Sequence, residues 1–169
     1  IRTRSSEADS SVTIRKLAEV PRILVASPDY IGQHGAPDTP EALQNHALLL
    51  YTLSDDWDHL TFTRGEVTRR LPAKAEIASN DGQLLRQAAL AGMGILVQPA
   101  YVVHDDLAAG RLLPVLGDWR LPTLTMNVVF PSRAHLPART RLFIDAIVRY
   151  FRDHDLERNW LEQALATTH

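Results

Sequence analysis

The sequence predicts an α/β fold, on two observations. Short apolar runs with no polar alternation, such as Ile23-Leu24-Val25-Ala26 and Ile95-Leu96-Val97, have the length and composition of strands buried on both faces, as in a sheet covered by helices. Among them lie segments with helical spacing: Leu84, Leu85, Ala88 and Ala89 share one helical face, behind a cap at Asn80 or Asp81 and ahead of a stop at Gly92. The 169 residues, 45% of them hydrophobic, suffice for one domain or two small lobes with a real core.

Taken in order, residues 5–11 are polar and read as a solvated loop, and from Val12 the chain is extended as far as Ala26, ahead of Ser27-Pro28. Gly32, Gly35, Pro37 and Pro40 then punctuate the chain. Thr39 and Pro40 suit the cap and first residue of a short helix to about His46, and a boundary is expected here. Leu48-Leu49-Leu50-Tyr51 is a short strand. Leu60 and Phe62 alternate with Thr61 and Thr63 before Arg64-Gly65-Glu66, and Val67 and Leu71 lie on the return, which makes a half-exposed hairpin. Residues 74–78 form a strand ahead of the Leu84 helix, and residues 94–98 a buried strand ended by Pro99. An amphipathic stretch over 102–109 stops at Gly110. Pro114, Gly117 and Pro122 mark 113–122 as a connecting segment, with a second boundary near Pro122, and 123–130 is a strong β run ended by Pro131. A final helix starts at 137–139, with Phe143, Ala146, Ile147 and Tyr150 as its docking face, and a weaker helical pattern fills 153–169.

Several function classes are excluded. Lys and Arg number 18 against 20 Asp and Glu, so the chain lacks the basic excess of a module that grips phosphate backbones. With no cysteine there is no disulfide, no thiolate nucleophile and no Cys-ligated zinc, which fits a reducing, cytoplasmic setting. The longest apolar stretch, 88–97, is broken by Gly92 and Gly94 and falls far short of the ~18 residues of a membrane span. The first residues form no apolar signal core and do not start with Met, so the chain reads as a fragment. His104-Asp105-Asp106 and His154-Asp155 set imidazole beside carboxylate, but neighbours on a helix diverge and no metal-ligand spacing occurs; both read as solvated faces. Ser27 lacks a Gly-x-Ser-x-Gly setting and no phosphate loop is present, so neither catalysis nor a cofactor has support.

One ordered set of segments carries a family resemblance. It runs Arg15-Lys16-Leu17-Ala18, Ile23-Leu24-Val25-Ala26-Ser27-Pro28-Asp29-Tyr30, Gly35, Thr39-Pro40-Glu41-Ala42-Leu43, Asn80-Asp81-Gly82, Ala88-Ala89-Leu90-Ala91-Gly92-Met93-Gly94-Ile95, Leu107-Ala108-Ala109-Gly110-Arg111-Leu112 and Pro131-Ser132-Arg133. Over nearly the whole chain it resembles the effector-binding half of LysR-type transcriptional regulators. The resemblance implies a type II periplasmic-binding-protein-like fold: two α/β lobes joined by two crossovers, with a small-molecule effector in the cleft between them. It assigns residues 1–37 and 123–169 to the first lobe, incomplete in this chain, and 38–122 to the second. DNA contacts would come only from an N-terminal winged helix-turn-helix outside the chain. The implied assembly is a homodimer or homotetramer, with no membrane partner.

Ligands of α/β lobes collect at strand C-terminal ends and helix N-termini, where backbone N–H groups and the helix dipole attract anions. Under the resemblance, Ser27 and Pro28 after the first-lobe strand face Ser79, Asn80 and Asp81 at the second-lobe helix. Pro99, Ala100 and Tyr101 form a cleft wall, Phe130 closes the matching strand, and Arg2 is a candidate partner for a carboxylate. Capping accounts for Ser27, Ser79 and Asn80 as well as effector contact does, and Asp81 repels an anion unless it turns away to cap its helix. Core packing explains Pro99, Ala100, Tyr101 and Phe130 equally well, and disorder at a chain end explains Arg2. A solute-binding protein of the same architecture and a small enzyme on this fold are the alternatives. The charge balance predicts that this chain alone leaves duplex DNA unretarded in a low-salt mobility assay; a retarded band contradicts it.

Overall fold

Prolines and glycines delimit most elements, and apolar alternation decides which face each one buries. The computed structural model describes residues 2–3, 12–53, 56–131 and 137–160. The elements are β1 (Arg2–Thr3), β2 (Val12–Val20), β3 (Arg22–Ala26), α1 (Pro28–His34), a 3-10 helix (Pro40–Asn45), β4 (Leu48–Tyr51), β5 (His59–Arg64), β6 (Val67–Pro72) and β7 (Ala75–Ser79). After these come α2 (Gly82–Leu90), β8 (Ile95–Pro99), α3 (Ala100–Ala108), β9 (Leu113–Val115), β10 (Leu124–Pro131) and α4 (Ala138–Asp153).

Five strands form a central sheet in the order β7-β4-β8-β3-β9. Strand β4 runs parallel to β7 and β8, whereas β3 runs antiparallel to β8 and β9. The unbroken apolar runs are buried on both faces. Leu24, Leu48, Leu50, Ile95 and Val97 pack with Tyr30, Phe62 and Trp119 on one side. On the other, Val25, Leu49 and Leu96 meet Leu85, Ala89 and Val103 of α2 and α3. The β5–β6 hairpin covers the first face: Phe62 is fully buried and meets Trp119 edge-on at 6.5 Å between ring centres. A second, antiparallel sheet has the order β1-β10-β2, and α4 lies against β2 with Ile144 inward and Arg15 bonded to Asp145 at 2.7 Å. The chain passes between the two sheets at Pro21 and again over residues 116–123. Among the described residues no helix is long and apolar enough to cross a membrane.

Four expectations about the strands and helices are corrected. Residues 23–26, expected in the first lobe, pair with β8 and β9 in the central sheet, because Pro21 interrupts the extended run and lets β3 change sheets. Residues 28–34, read as punctuation, form α1: Ser27 caps it, accepting from the Tyr30 amide at 3.2 Å, Pro28 opens it, and Gly32 faces open space. Part of the supposed connector 113–122 is β9, an edge strand where a proline is tolerated. The face of α4 is rotated from expectation: Phe143 and Tyr150 are 64% and 54% exposed, and Ile144 is the buried residue.

Asp106 departs furthest from its expected surface position. It lies three residues after buried Val103 on the inward face of α3 and is fully buried. Arg86 of α2 donates to both its carboxylate oxygens, Nη2 to Oδ1 at 2.8 Å, and Arg111 adds two more bonds at 2.9 and 2.7 Å. Burial works to raise the carboxyl pKa, but the bonds from the two guanidinium groups outweigh it and hold Asp106 below the usual aspartate range. The pair fastens α2 to α3. A further tie joins the sheets: Trp160, beyond α4, lies 5.5 Å from the Tyr101 ring of α3, and Glu157 accepts from the Glu19 amide of β2 at 3.1 Å. Gly94 marks a close backbone approach, since a Cβ there would stand 2.5 Å from the Ala47 carbonyl oxygen, which accepts from Ile95 at 2.8 Å.

Asp106→Asn is expected to lower stability by about 3 kcal/mol in urea denaturation, because two guanidinium groups lose their anion. Arg111→Gln, at a half-exposed side chain, should cost about 1 kcal/mol or less. A carboxyl held below its ordinary value of 3.8 contributes stability above that value and loses it as pH falls through the lower folded value. The asparagine variant should therefore lose less stability than the parent on acidification below that point. Gly94→Ala should lower the thermal midpoint measurably, by forcing β8 away from Ala47.

Candidate functional site

The three parallel strands β4, β7 and β8 end at one edge of the central sheet, at Tyr51, Ser79 and Pro99. Open α/β sheets take ligands at this kind of edge. A cavity of about 720 Å³ opens there, between the central sheet and the β1-β10-β2 sheet. Leu50, Tyr51 and Gln98 form its floor. The first turns of α2 and α3 contribute Asn80 to Gln83 on one side and Tyr101 and Val102 beside them. Leu53 and Trp57, ahead of the hairpin, and His59, its first residue, form the facing wall, and both crossovers close it, through Arg22 and through residues 122–125.

Of the residues expected to form the site, Asn80, Asp81, Pro99 and Tyr101 line this cavity. The others do not. Because β3 is antiparallel to β8, its C-terminal end sits beside the start of β8, so Ser27 and Pro28 lie at the far edge of the sheet; Ser27 is buried as the α1 cap. Ser79 turns its hydroxyl back to accept from the Asp81 amide at 3.0 Å. Ala100, the first residue of α3, is buried, its amide donating to the Pro21 carbonyl at 2.9 Å. Phe130 stands five residues beyond cavity-lining Thr125, about 17 Å along β10. Arg2 pairs through its backbone with Asn127 of β10.

The charges around the cavity are mostly spent internally. Asp81 Oδ1 accepts from the amides of Gln83 and Leu84 at 2.9 and 3.2 Å, so the carboxylate occupies the N–H groups that open α2. Asp56 pairs with Arg70 at 3.5 Å. Arg22 is different. Its Nε donates to the Pro122 carbonyl at 3.0 Å, which ties one crossover to the other, and no carboxylate pairs with its guanidinium among the described residues. Burial alone pushes its pKa down. Gln98 is 3% exposed, and its Nε2 has no hydrogen-bond partner among the described residues. That amide lies against the first turn of α2, where a Cβ on Gly82 would come within 3.3 Å of Nε2. Burial, with a smaller contribution from Tyr51, pushes the Tyr101 phenol up, which leaves it a neutral hydroxyl. Among the described residues no three histidine or carboxylate side chains gather as a metal requires.

The model of the LysR substrate binding domain matches residues 1–152. The chain belongs to this family. Among curated relatives, the HTH-type transcriptional regulator DmlR of Escherichia coli is 31% identical over 144 residues, 83% of this chain and 46% of that protein. An HTH-type regulator of Haemophilus influenzae is 32% identical over 131 residues, 78% of this chain and 46% of the relative. The chain thus spans about half the length of the curated relatives it matches. Among solved structures, the regulatory domain of CrgA from Neisseria meningitidis superimposes with a TM-score of 0.79 at 26% identity, over 88% of this chain and 73% of that one. Full-length AphB of Vibrio cholerae does so at 0.75 and 30%, over 86% and 50%. This LysR substrate-binding domain has the type II periplasmic-binding-protein-like fold of these regulatory domains.

Sequence reading of this LysR domain missed Arg22, Gln98, Leu53 and Trp57. Gln98 carried a signal, as an amide ending an otherwise apolar buried run, and such a group needs a partner. Arg22 carried a weaker one, a charge between Pro21 and an apolar strand. Asp81→Ala should cost about 1 kcal/mol in chemical denaturation, as loss of an N-cap does. No change in stability would contradict the capping geometry.

Proposed function

We propose that the chain is the effector-sensing part of a LysR-type transcriptional regulator, holding a small molecule in the 720 Å³ cavity between its two sheets. The observation that supports this best is the position of the cavity at both crossovers, with Arg22 on one and residues 122–125 on the other. A ligand bound there touches the hinge as well as both sheets, so its affinity depends on their relative orientation, and it shifts that equilibrium by the difference in affinity. Asn80, Pro99 and Tyr101 are its wall, and Asp81 serves it by capping α2. The names of the relatives, HTH-type transcriptional regulators, favour this reading over a solute-binding protein and over an enzyme. DNA contacts then belong to a helix-turn-helix segment outside this chain, the working form is a homodimer or homotetramer, and the protein acts in the cytoplasm.

The full product of the gene carrying this chain should retard the DNA upstream of that gene in a mobility assay. One member of a panel of small carboxylates and aromatic compounds should change the retardation. Failure to bind at low salt would count against the regulator and in favour of the solute-binding alternative.

A further inference from the structure

We infer that the effector is a monoanion, a carboxylate carried on a largely apolar body, whose charge is taken by Arg22 and which accepts a hydrogen bond from Gln98. This inference rests on the effector-binding reading of the cavity and adds the chemistry of what enters it.

Charge supplies the first argument. A helix N-terminus at an α/β sheet edge is the usual place to expect an anion, but here Asp81 already fills the first turn of α2 and brings a negative charge of its own. The anion must find its counter-charge elsewhere. Asp56 is paired with Arg70, which leaves Arg22 as a cavity-lining cation with no carboxylate partner among the described residues. Its bond to the neutral Pro122 carbonyl uses Nε and leaves the two terminal nitrogens, part of the fork that matches a carboxylate. One uncompensated cation favours one anionic group over two, because a second carboxylate would be desolvated beside Asp81 with no second unpaired cation lining the cavity among the described residues.

The second argument is independent of charge. Gln98 Nε2 is buried with no partner among the described residues, although such a group is costly to leave unsatisfied, and it lies on a residue that lines the same cavity. An oxygen of the ligand supplies the missing acceptor. Beside Asp56 and His59, the facing wall and the α3 side of the cavity carry three large rings and chains open to solvent: Leu53, Trp57 and Tyr101 remain 51%, 38% and 38% exposed around it. Large apolar side chains gathered at a cavity mouth mark where an apolar body is covered.

Matched pairs test the inference: 4-fluorobenzoate with 4-fluorobenzamide, and hexanoate with hexanamide, each titrated into the isotopically labelled full chain and read by NMR at the Trp57 indole N–H and the Gln98 side-chain amide. The expected result is that at least one carboxylate shifts both resonances and binds about tenfold or more tightly than its amide. Arg22→Gln should remove that difference and Arg22→Lys should retain part of it, although both lose the Nε bond to Pro122, which separates charge from a structural role. If an amide binds as tightly as its carboxylate and shifts Trp57, the cavity reading stands and the anion inference fails. If no member of either pair shifts Trp57 at millimolar concentration, both fail.

Discussion

Strand β3 runs against β8 while β4 and β7 run with it, and this choice of direction decides which parts of the chain meet. Three strand ends and the first turns of α2 and α3 collect at one edge of the central sheet. The antiparallel strand brings its N-terminal end to that same edge, and with it Pro21, Arg22 and the crossover from β2. A parallel β3 would have placed Ser27 there and carried Arg22 to the far side. The cavity is therefore bounded on one side by polar strand and helix ends, and on the other by the chain's passage between sheets.

Much of this was legible in the residues themselves. The hairpin, the strand at Leu48, the α2 helix with its Gly92 stop and the two-sided burial of residues 23–26 and 95–97 all follow from local pattern, because turn chemistry and apolar runs act within a few residues. What local pattern does not carry is the partner and direction of a strand. Residues 23–26 look the same in either sheet, so Ser27 and Pro28 seemed to belong in the cleft. Helix α1 was hidden for a related reason: Gly32 weakens it, and buried Tyr30, stacked on His34 and bonded through its hydroxyl to the Ala47 amide, holds it in place across the fold. At the cavity, Asn80 and Asp81 were readable as a helix opening, whereas Arg22 and Gln98 matter through the partners they lack among the described residues, and such a lack is visible only once neighbours are in place.

Charge is used economically in this structure. Asp106 and Asp81 look alike in sequence, each an acid near a helical segment, yet one is wholly enclosed between two guanidinium groups and the other lies at the surface closing the first turn of α2. Both are consumed by the fold itself. The first joins α2 to α3, so that the two helices flanking the cavity present their first turns as a unit. The second removes the field that α2 would otherwise project into the cavity. Arg22 is left as a cation whose electrostatic demand no carboxylate meets among the described residues, at the point where one crossover is hydrogen-bonded to the other.

The contact between Trp160 and Tyr101 gives the molecule a closed mechanical circuit. From the central sheet the path runs through the crossovers to β2 and β10, along α4, and back through the two packed rings to α3. A pair of bodies joined only by two strands can twist, bend and splay, but a circuit closed by ring-on-ring packing resists splaying, since pulling the rings apart exposes both to water. Relative movement of the two sheets is thereby passed to Tyr101, which both lines the cavity and meets the Trp160 ring at an angle of 42°.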